Sequence, residues 1–193
     1  MIKVNPTKST HVCFTLRKGT CPNVFLKNEH IPQKCEVRYL GLILDKKLTW
    51  KSHIKKKRLL LNYKLRQLWR FVNRRSSLPI SSKLLLYKSL LKPIWTYGVQ
   101  LFGSAKTSNL KSLQIFQSKF LRIASNAPYY VKNETLHSDF KIPYIKDVAQ
   151  ASYQKFFSKL QDNPNPLIQD IHQHHLPGNP VRRLKRRWCR DLL

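Results

Sequence analysis

Val37-Arg38-Tyr39-Leu40-Gly41-Leu42-Ile43-Leu44-Asp45, followed by Leu48-Thr49-Trp50, divides this sequence into two unlike halves. Aromatic, aliphatic and β-branched residues crowd the first nine positions, which reads as one buried strand. Gly41 interrupts the run, and a glycine inside a strand marks a bulge or a place where another backbone comes close. Upstream, His11 to Leu16 alternates with period two until Arg17-Lys18-Gly19 breaks it. Asn23 to Leu26 is a second short strand, and Lys27 to His30 turns the chain into Ile31. With Glu36 to Leu44, these pieces predict a three- or four-strand antiparallel meander over the first 45 residues. Such a sheet needs helices on one face to be stable.

Behind Asp45 the periodicity becomes helical. At 100° per residue Ile54, Leu61, Leu65, Leu68 and Val72 share one side of a first helix, and Lys56, Tyr63, Arg66, Arg70 and Arg74 the other. Ser76-Ser77-Leu78-Pro79 ends it, and Pro79 suits the first turn of a second helix carrying Leu84, Leu85, Tyr87, Leu91, Ile94 and Trp95. Pro93 kinks or ends that helix. Gly98 and Gly103 flank a connection, and Thr107 or Ser108 caps a third helix with Leu110, Leu113, Phe116, Phe120, Ile123 and Ala124 inward. Asn126-Ala127-Pro128 stops it. A helical turn at Asn133 to Asp139 precedes a fourth helix, about Tyr144 to Leu160, with Ile145, Val148, Ser152, Phe156 and Leu160 at helical spacing. The fold class is therefore α+β. Residues 1–50 hold the small antiparallel sheet, 51–128 a helical unit, 129–161 connecting helices, and 162–193 a basic tail ending in Arg182 to Trp188.

The charge is one-sided: 37 Lys+Arg against 9 Asp+Glu give +28. From Lys46 to Asn133, 88 residues carry 20 Lys/Arg and no acid. Such a segment repels itself and needs a polyanion nearby. Interleaved aromatic residues favour nucleic acid over a generic solvated basic surface. Arg66, Arg70 and Arg74, spaced i, i+4 and i+8, would rise about 6 Å apart along one helix face and track a phosphate backbone rather than read bases. Cys13, Cys21, Cys35 and Cys189 fit no zinc spacing, and His172, His174 and His175 near Cys189 read as a polar loop rather than a metal site. Nothing resembles a signal peptide or an 18-residue apolar run, which predicts a reducing, soluble compartment and no membrane partner.

Several stretches, taken in order, carry a resemblance. Ile2-Lys3-Val4-Asn5-Pro6-Thr7-Lys8-Ser9 has an Asn-x-x-Lys-Ser pattern after an aliphatic pair, and Tyr39-Leu40-Gly41 leads through three apolar residues to Asp45 and Leu48-Thr49-Trp50. Leu86 to Gly98, Phe116 to Lys119, Asn126 to Val131 and Asn133 to His137 follow, and Arg182 to Leu193 closes the chain. This order resembles the C-terminal part of reverse transcriptases (RNA-directed DNA polymerases) from jockey-like non-LTR retrotransposons. The resemblance implies the trailing edge of a polymerase palm, then a thumb and a connection that bind an RNA–DNA template-primer. It implies nuclear and cytoplasmic locations. It places Tyr39, Leu40 and Gly41 at the primer grip and Lys8 beside the nucleotide's phosphates as an auxiliary catalytic group, while charge and helical spacing make Lys56, Tyr63, Arg66, Arg70 and Arg74 the expected nucleic-acid face. The family's Mg²⁺ ions are held by an Ala-Asp-Asp turn upstream of the Asn-x-x-Lys pattern. This chain has no adjacent acidic pair, and its first acid is Glu29. It is therefore expected to hold no metal and to be inactive alone. The endonuclease, fingers and most of the palm are expected before Met1. A free-standing basic helical module that binds RNA or DNA without chemistry, or a structural component of a ribonucleoprotein, stands as the alternative.

Overall fold

A computed structural model describes residues 5, 8–15, 21–161 and 163–168. His172, His174, His175, Cys189 and the Arg182 to Trp188 run lie outside the described residues. The fold is α+β: two small sheets, then a mainly helical body. Val24–Leu26 (β1) pairs antiparallel with Glu29–Ile31 (β2), and Glu36–Tyr39 (β3) with Leu42–Asp45 (β4). Each hairpin turns on two residues with positive φ: Lys27 and Asn28 at 53° and 65°, Leu40 and Gly41 at 45° and 78°. Two-residue turns of this hand match the twist of the paired strands.

Two expectations are corrected here. Val37 to Asp45 is not one buried strand but a hairpin that reverses at Leu40–Gly41, where the glycine supplies a left-handed conformation at little cost. The meander is two separate two-stranded sheets, and His11 contributes a single parallel bridge to Gln33 rather than a strand. Reversal at Gly41 splits the apolar run. Leu42 and Ile43 are buried, whereas Tyr39 and Leu40 expose 62% and 71% of their surface.

The passage into the helical body is held by one carboxylate. Asp45 Oδ2 accepts the Thr49 amide and hydroxyl at 2.9 Å each, and Oδ1 accepts the Trp50 amide at 2.9 Å. Leu48 and Trp50 sit at φ 48° and 62°, which costs on the order of 1–3 kcal/mol apiece for residues with a Cβ. The three hydrogen bonds offset that strain and start Lys51–Gln67 (α1), whose His53 bonds back to Ile43 of the hairpin. This is the physical content of the Asp45…Leu48-Thr49-Trp50 spacing.

Leu68 makes a one-residue break before Trp69–Val72 (α2). Ile54, Leu61, Leu65 and Val72 are buried and Leu68 packs on the core, as their spacing predicts. Ile80–Leu86 (α3) and Lys92–Thr96 (α4) are joined by a π-helical segment, Tyr87–Leu91. Pro93 has no amide to give residue 89 and its ring would strike that carbonyl, so the widened turn lets the helix pass without breaking. Leu85 on α3 is exposed. The connection between Gly98 and Gly103 is a short helix, Val99–Phe102 (α5). Thr107–Ser125 (α6) is preceded by Lys106 with no side-chain cap, and Asn126 ends it at φ 55°. Asn133–Asp139 (α7) and Ile145–Gln161 (α8) follow.

The core is built around α6, whose Leu113, Phe116, Phe120 and Leu121 meet Leu61 of α1, Tyr87, Trp95 and Phe102. Tyr87 Oη accepts from Trp95 Nε1 at 3.2 Å and Gln117 Nε2 at 3.0 Å, and burial pushes its phenol up to about 12. On α8 Ile145, Ala149 and Tyr153 are buried and Val148 packs against the core, whereas Phe156, expected on the inward line, is exposed. The reason lies in its neighbour: a Cβ on Gly103 would fall 2.6 Å from Ala149 Cβ. Two small residues let α8 approach the end of α5 closely, and that contact decides which side of α8 turns inward.

Candidate nucleic-acid interface

The run Lys55-Lys56-Lys57-Arg58 splits between two fates on α1. Lys55 and Lys56 are exposed. Lys57 turns in, donates from Nζ to the Ile94 carbonyl at 2.6 Å, and lies 5.4 Å from the Tyr97 ring centroid. Burial pulls its ammonium down to about 8. Arg58 donates to the Ser112 carbonyl at 2.6 Å and sits 5.1 Å from the Phe116 ring centroid, and burial lowers its pKa. These two cations fasten α1 to α4 and α6. At 100° per residue Lys57 and Arg58 flank the apolar stripe of α1, but their acceptors are backbone carbonyls far along the chain, which spacing does not reveal.

The outer side of α1 carries Lys56, Tyr63 and Arg66, all exposed, and Arg70 is exposed on α2. Arg74 departs from the expectation. Asn73 leaves the helix with ψ 169°, so Arg74 does not continue the i, i+4, i+8 line. It is exposed on the turn beyond α2. The same outer side also presents Leu59 and Leu60, 59% and 45% exposed, with Trp69 and Phe71 near its end at 49% and 52%. The face is therefore mixed basic and apolar rather than a plain cationic track. The 100° rule puts Leu59 and Leu60 beside Tyr63 and would have found them.

Tyr39, Leu40 and Gly41 form the tip of the second hairpin, which is supported from beneath. Tyr97 Oη donates to the Leu40 carbonyl at 2.7 Å, and a Cβ on Gly41 would lie 3.2 Å from the Tyr97 ring. Tyr97 and Lys57 thus join the hairpin tip to α1 and α4, a role nothing in the local sequence marks. Lys8 is exposed on the stretch before His11, where Ser9 Oγ donates to the Asn5 carbonyl at 2.8 Å. His11 pairs beside β2, its amide 3.3 Å from Pro32 O and its carbonyl 2.9 Å from the Lys34 amide.

Among the described residues no three His, Cys, Asp or Glu side chains come together as metal ligands. A Cys21 side-chain hydrogen bond, then burial, raise the Cys13 thiol pKa. No described helix is long and apolar enough to cross a membrane.

No protein-family model and no solved structure matches the chain. Its curated relatives are transposon proteins. It is 35% identical over 192 residues, its full length, to the probable RNA-directed DNA polymerase from transposon X-element of Drosophila melanogaster, covering 21% of that protein. It is 33% identical over 190 residues, 98% of the chain, to the RNA-directed DNA polymerase from mobile element jockey of the same species, again covering 21%. The transposon BS polymerase matches at 32% over 97% of the chain and 20% of its own length. The chain thus spans about a fifth of the length of the relatives it matches. Over its whole length the chain is thus similar to a stretch of about a fifth of the RNA-directed DNA polymerases of Drosophila transposons, the mobile element jockey among them.

Proposed function

We propose that this chain is the C-terminal portion of a retrotransposon reverse transcriptase that grips template-primer nucleic acid and contributes no catalytic carboxylates. The observation that carries the reading is the outer face of α1 and α2. Lys56, Tyr63, Arg66 and Arg70 are exposed there, inside a segment of 88 residues without one acid to occupy them. In this reading residues 1–50 close a palm, 51–128 act as a thumb, 129–161 connect, and 162–193 form a basic tail. The hairpin tip at Tyr39, Leu40 and Gly41 stands at the primer's 3′ end, and Arg74 adds a contact from the turn beyond α2. Lys8 would offset negative charge developing on the nucleotide's phosphates in the complete enzyme.

The described residues do not fit Mg²⁺. No acidic cluster forms, and both carboxylate oxygens of Asp45 are taken by Thr49 and Trp50. The metal-binding carboxylates therefore belong to another part of the polymerase in this reading, and the isolated chain should extend no primer with Mg²⁺ or Mn²⁺.

Binding of an RNA–DNA hybrid across a salt series tests the grip. Replacing Arg66 and Arg70 by Gln should flatten the slope of log K against log salt by about two units, and adding Arg74→Gln should bring the loss to about three. The effect should be the same for different sequences, with folding intact. Unchanged affinity and slope in the triple variant would remove this face from the interface.

A further inference from the structure

The turn after α6 holds two tyrosine rings out into solvent from a fixed base. The Val131 amide donates to the Pro128 carbonyl at 3.2 Å, which makes Tyr129 and Tyr130 the two central residues of a four-residue turn. The Arg122 guanidinium reaches from α6 to Pro128 O at 2.6 Å, Val131 O at 2.7 Å and Asn133 Oδ1 at 3.0 Å. Ala127 and Val131, on either side of the tip, pack against the core. Yet Tyr129 is 93% exposed and Tyr130 73%, their rings edge to face with centroids 5.6 Å apart. Large amphipathic rings gain free energy by being covered. Here the backbone is fastened at three points while both rings stay uncovered.

The surroundings supply the charge of a partner. Lys119 lies one helical turn before Arg122, Lys111 two turns earlier still, and Ile115 between them. At 100° per residue all four fall within about 80° of one another on α6. Lys111, Ile115, Lys119, Arg122 and Asn133 line a shallow depression of about 380 Å³. Lys132, also exposed, follows the turn. The next acid along the chain, Glu134, lines a different depression with His137, Ser138 and Lys141. Exposed aromatic faces beside a row of lysines fit a strand whose bases are unpaired, because a duplex keeps its base faces stacked on one another.

We infer that Tyr129 and Tyr130 form a stacking platform for unpaired bases of single-stranded RNA or DNA, whose phosphates run along Lys119 and Lys111. The inference rests on the nucleic-acid reading above but concerns a different surface, since α1 meets α6 through Arg58, Ser112 and Phe116.

The test uses the full 193-residue chain and fluorescent oligouridylate, oligothymidylate and a blunt duplex. Tyr129→Ala with Tyr130→Ala should weaken single-strand binding about tenfold or more, and duplex binding less than about twofold. Tyr129→Phe with Tyr130→Phe keeps both rings and should restore single-strand binding. A loss confined to RNA or to DNA, or shared by both, names the strand and supports the platform. Unchanged single-strand affinity in the alanine pair, an equal loss on duplex, or failure of the phenylalanine pair to restore binding would overturn it. The Arg66→Gln, Arg70→Gln variant separates the two readings. If it loses hybrid binding while the alanine pair binds single strands normally, the grip stands and the platform falls. If the unaltered chain binds none of these nucleic acids, both fall.

Discussion

Acid should loosen the joint between the second hairpin and α1, through His53. The ring is 2% exposed and lies between Trp50 and Phe102, with centroids 6.1 and 5.1 Å away. Its Nδ1 accepts the Ile43 amide at 3.3 Å, and its buried Nε2 has no partner among the described residues. A second ring proton would point at a backbone N–H, so the charged form has nowhere favourable to sit. Burial first, and the Lys57 charge second, pull the imidazole from 6.5 to about 4. The folded state thus prefers the neutral ring. Its contribution is complete above about pH 6.5, fades as pH falls toward 4, and is flat below that. The gap between those two values corresponds to about 3 kcal/mol. For a chain of this length that is a fall in Tm of about 6–12 °C. Urea unfolding of the natural chain and of His53→Asn, from pH 7 to pH 4, measures it. Asparagine can still accept the Ile43 amide and does not titrate. The variant should start less stable because of the space it leaves, then lose about 3 kcal/mol less on acidification. Parallel pH curves for the two proteins would refute the assignment to His53.

Substitutions at three further positions probe the frame around the hairpin and α5. Asp45→Ala removes three hydrogen bonds that offset the strain at Leu48 and Trp50, and should cost about 2–4 kcal/mol in chemical denaturation. Asp45→Asn keeps one acceptor oxygen and should cost clearly less; equal losses would mean that the acceptors are not what matters. Tyr97→Phe keeps the ring against Gly41 but drops the 2.7 Å bond to Leu40, so global stability should fall by about 0.5–1.5 kcal/mol. Amides at the hairpin tip should then exchange with solvent faster, and unchanged exchange would detach Tyr97 from the tip. Gly103→Ala pushes a methyl group to 2.6 Å from both Ala149 Cβ and the Val99 carbonyl, and should cost about 1–3 kcal/mol. An unshifted urea midpoint would show that α5 and α8 do not meet as described.

Local sequence announced the helices because each needs its apolar side chains on one side of its own axis. Ile54, Leu61, Leu65 and Val72, and likewise Leu113, Phe116, Phe120 and Ala124, are buried as their spacing implies. The candidate nucleic-acid face was legible for the same reason. Lys56, Tyr63, Arg66 and Arg70, opposite the apolar side, are exposed, and the segment supplies no acid to pair with them.

Other features had no local signature. Periodicity puts Lys57 and Arg58 at the edges of the apolar stripe, but the carbonyls that bind them lie 37 and 54 residues further on and have no local mark. The run Val37 to Asp45 could continue or reverse at Gly41. Which it does depends on β3 finding β4 and on Tyr97, 57 residues beyond Leu40, bonding the turn. The inward line of α8 follows from Gly103 lying against Ala149, and the exposure of Tyr129 and Tyr130 from Arg122 fastening their turn. Sequence by itself determined the helical periods, the charge and the likeness to transposon polymerases. Tertiary structure decided which cation is a strut and which is free, where the strand run folds back, and which aromatic rings remain uncovered. Periodicity reports a residue's direction from its own axis, whereas those outcomes depend on partners that only the folded chain brings within bonding distance.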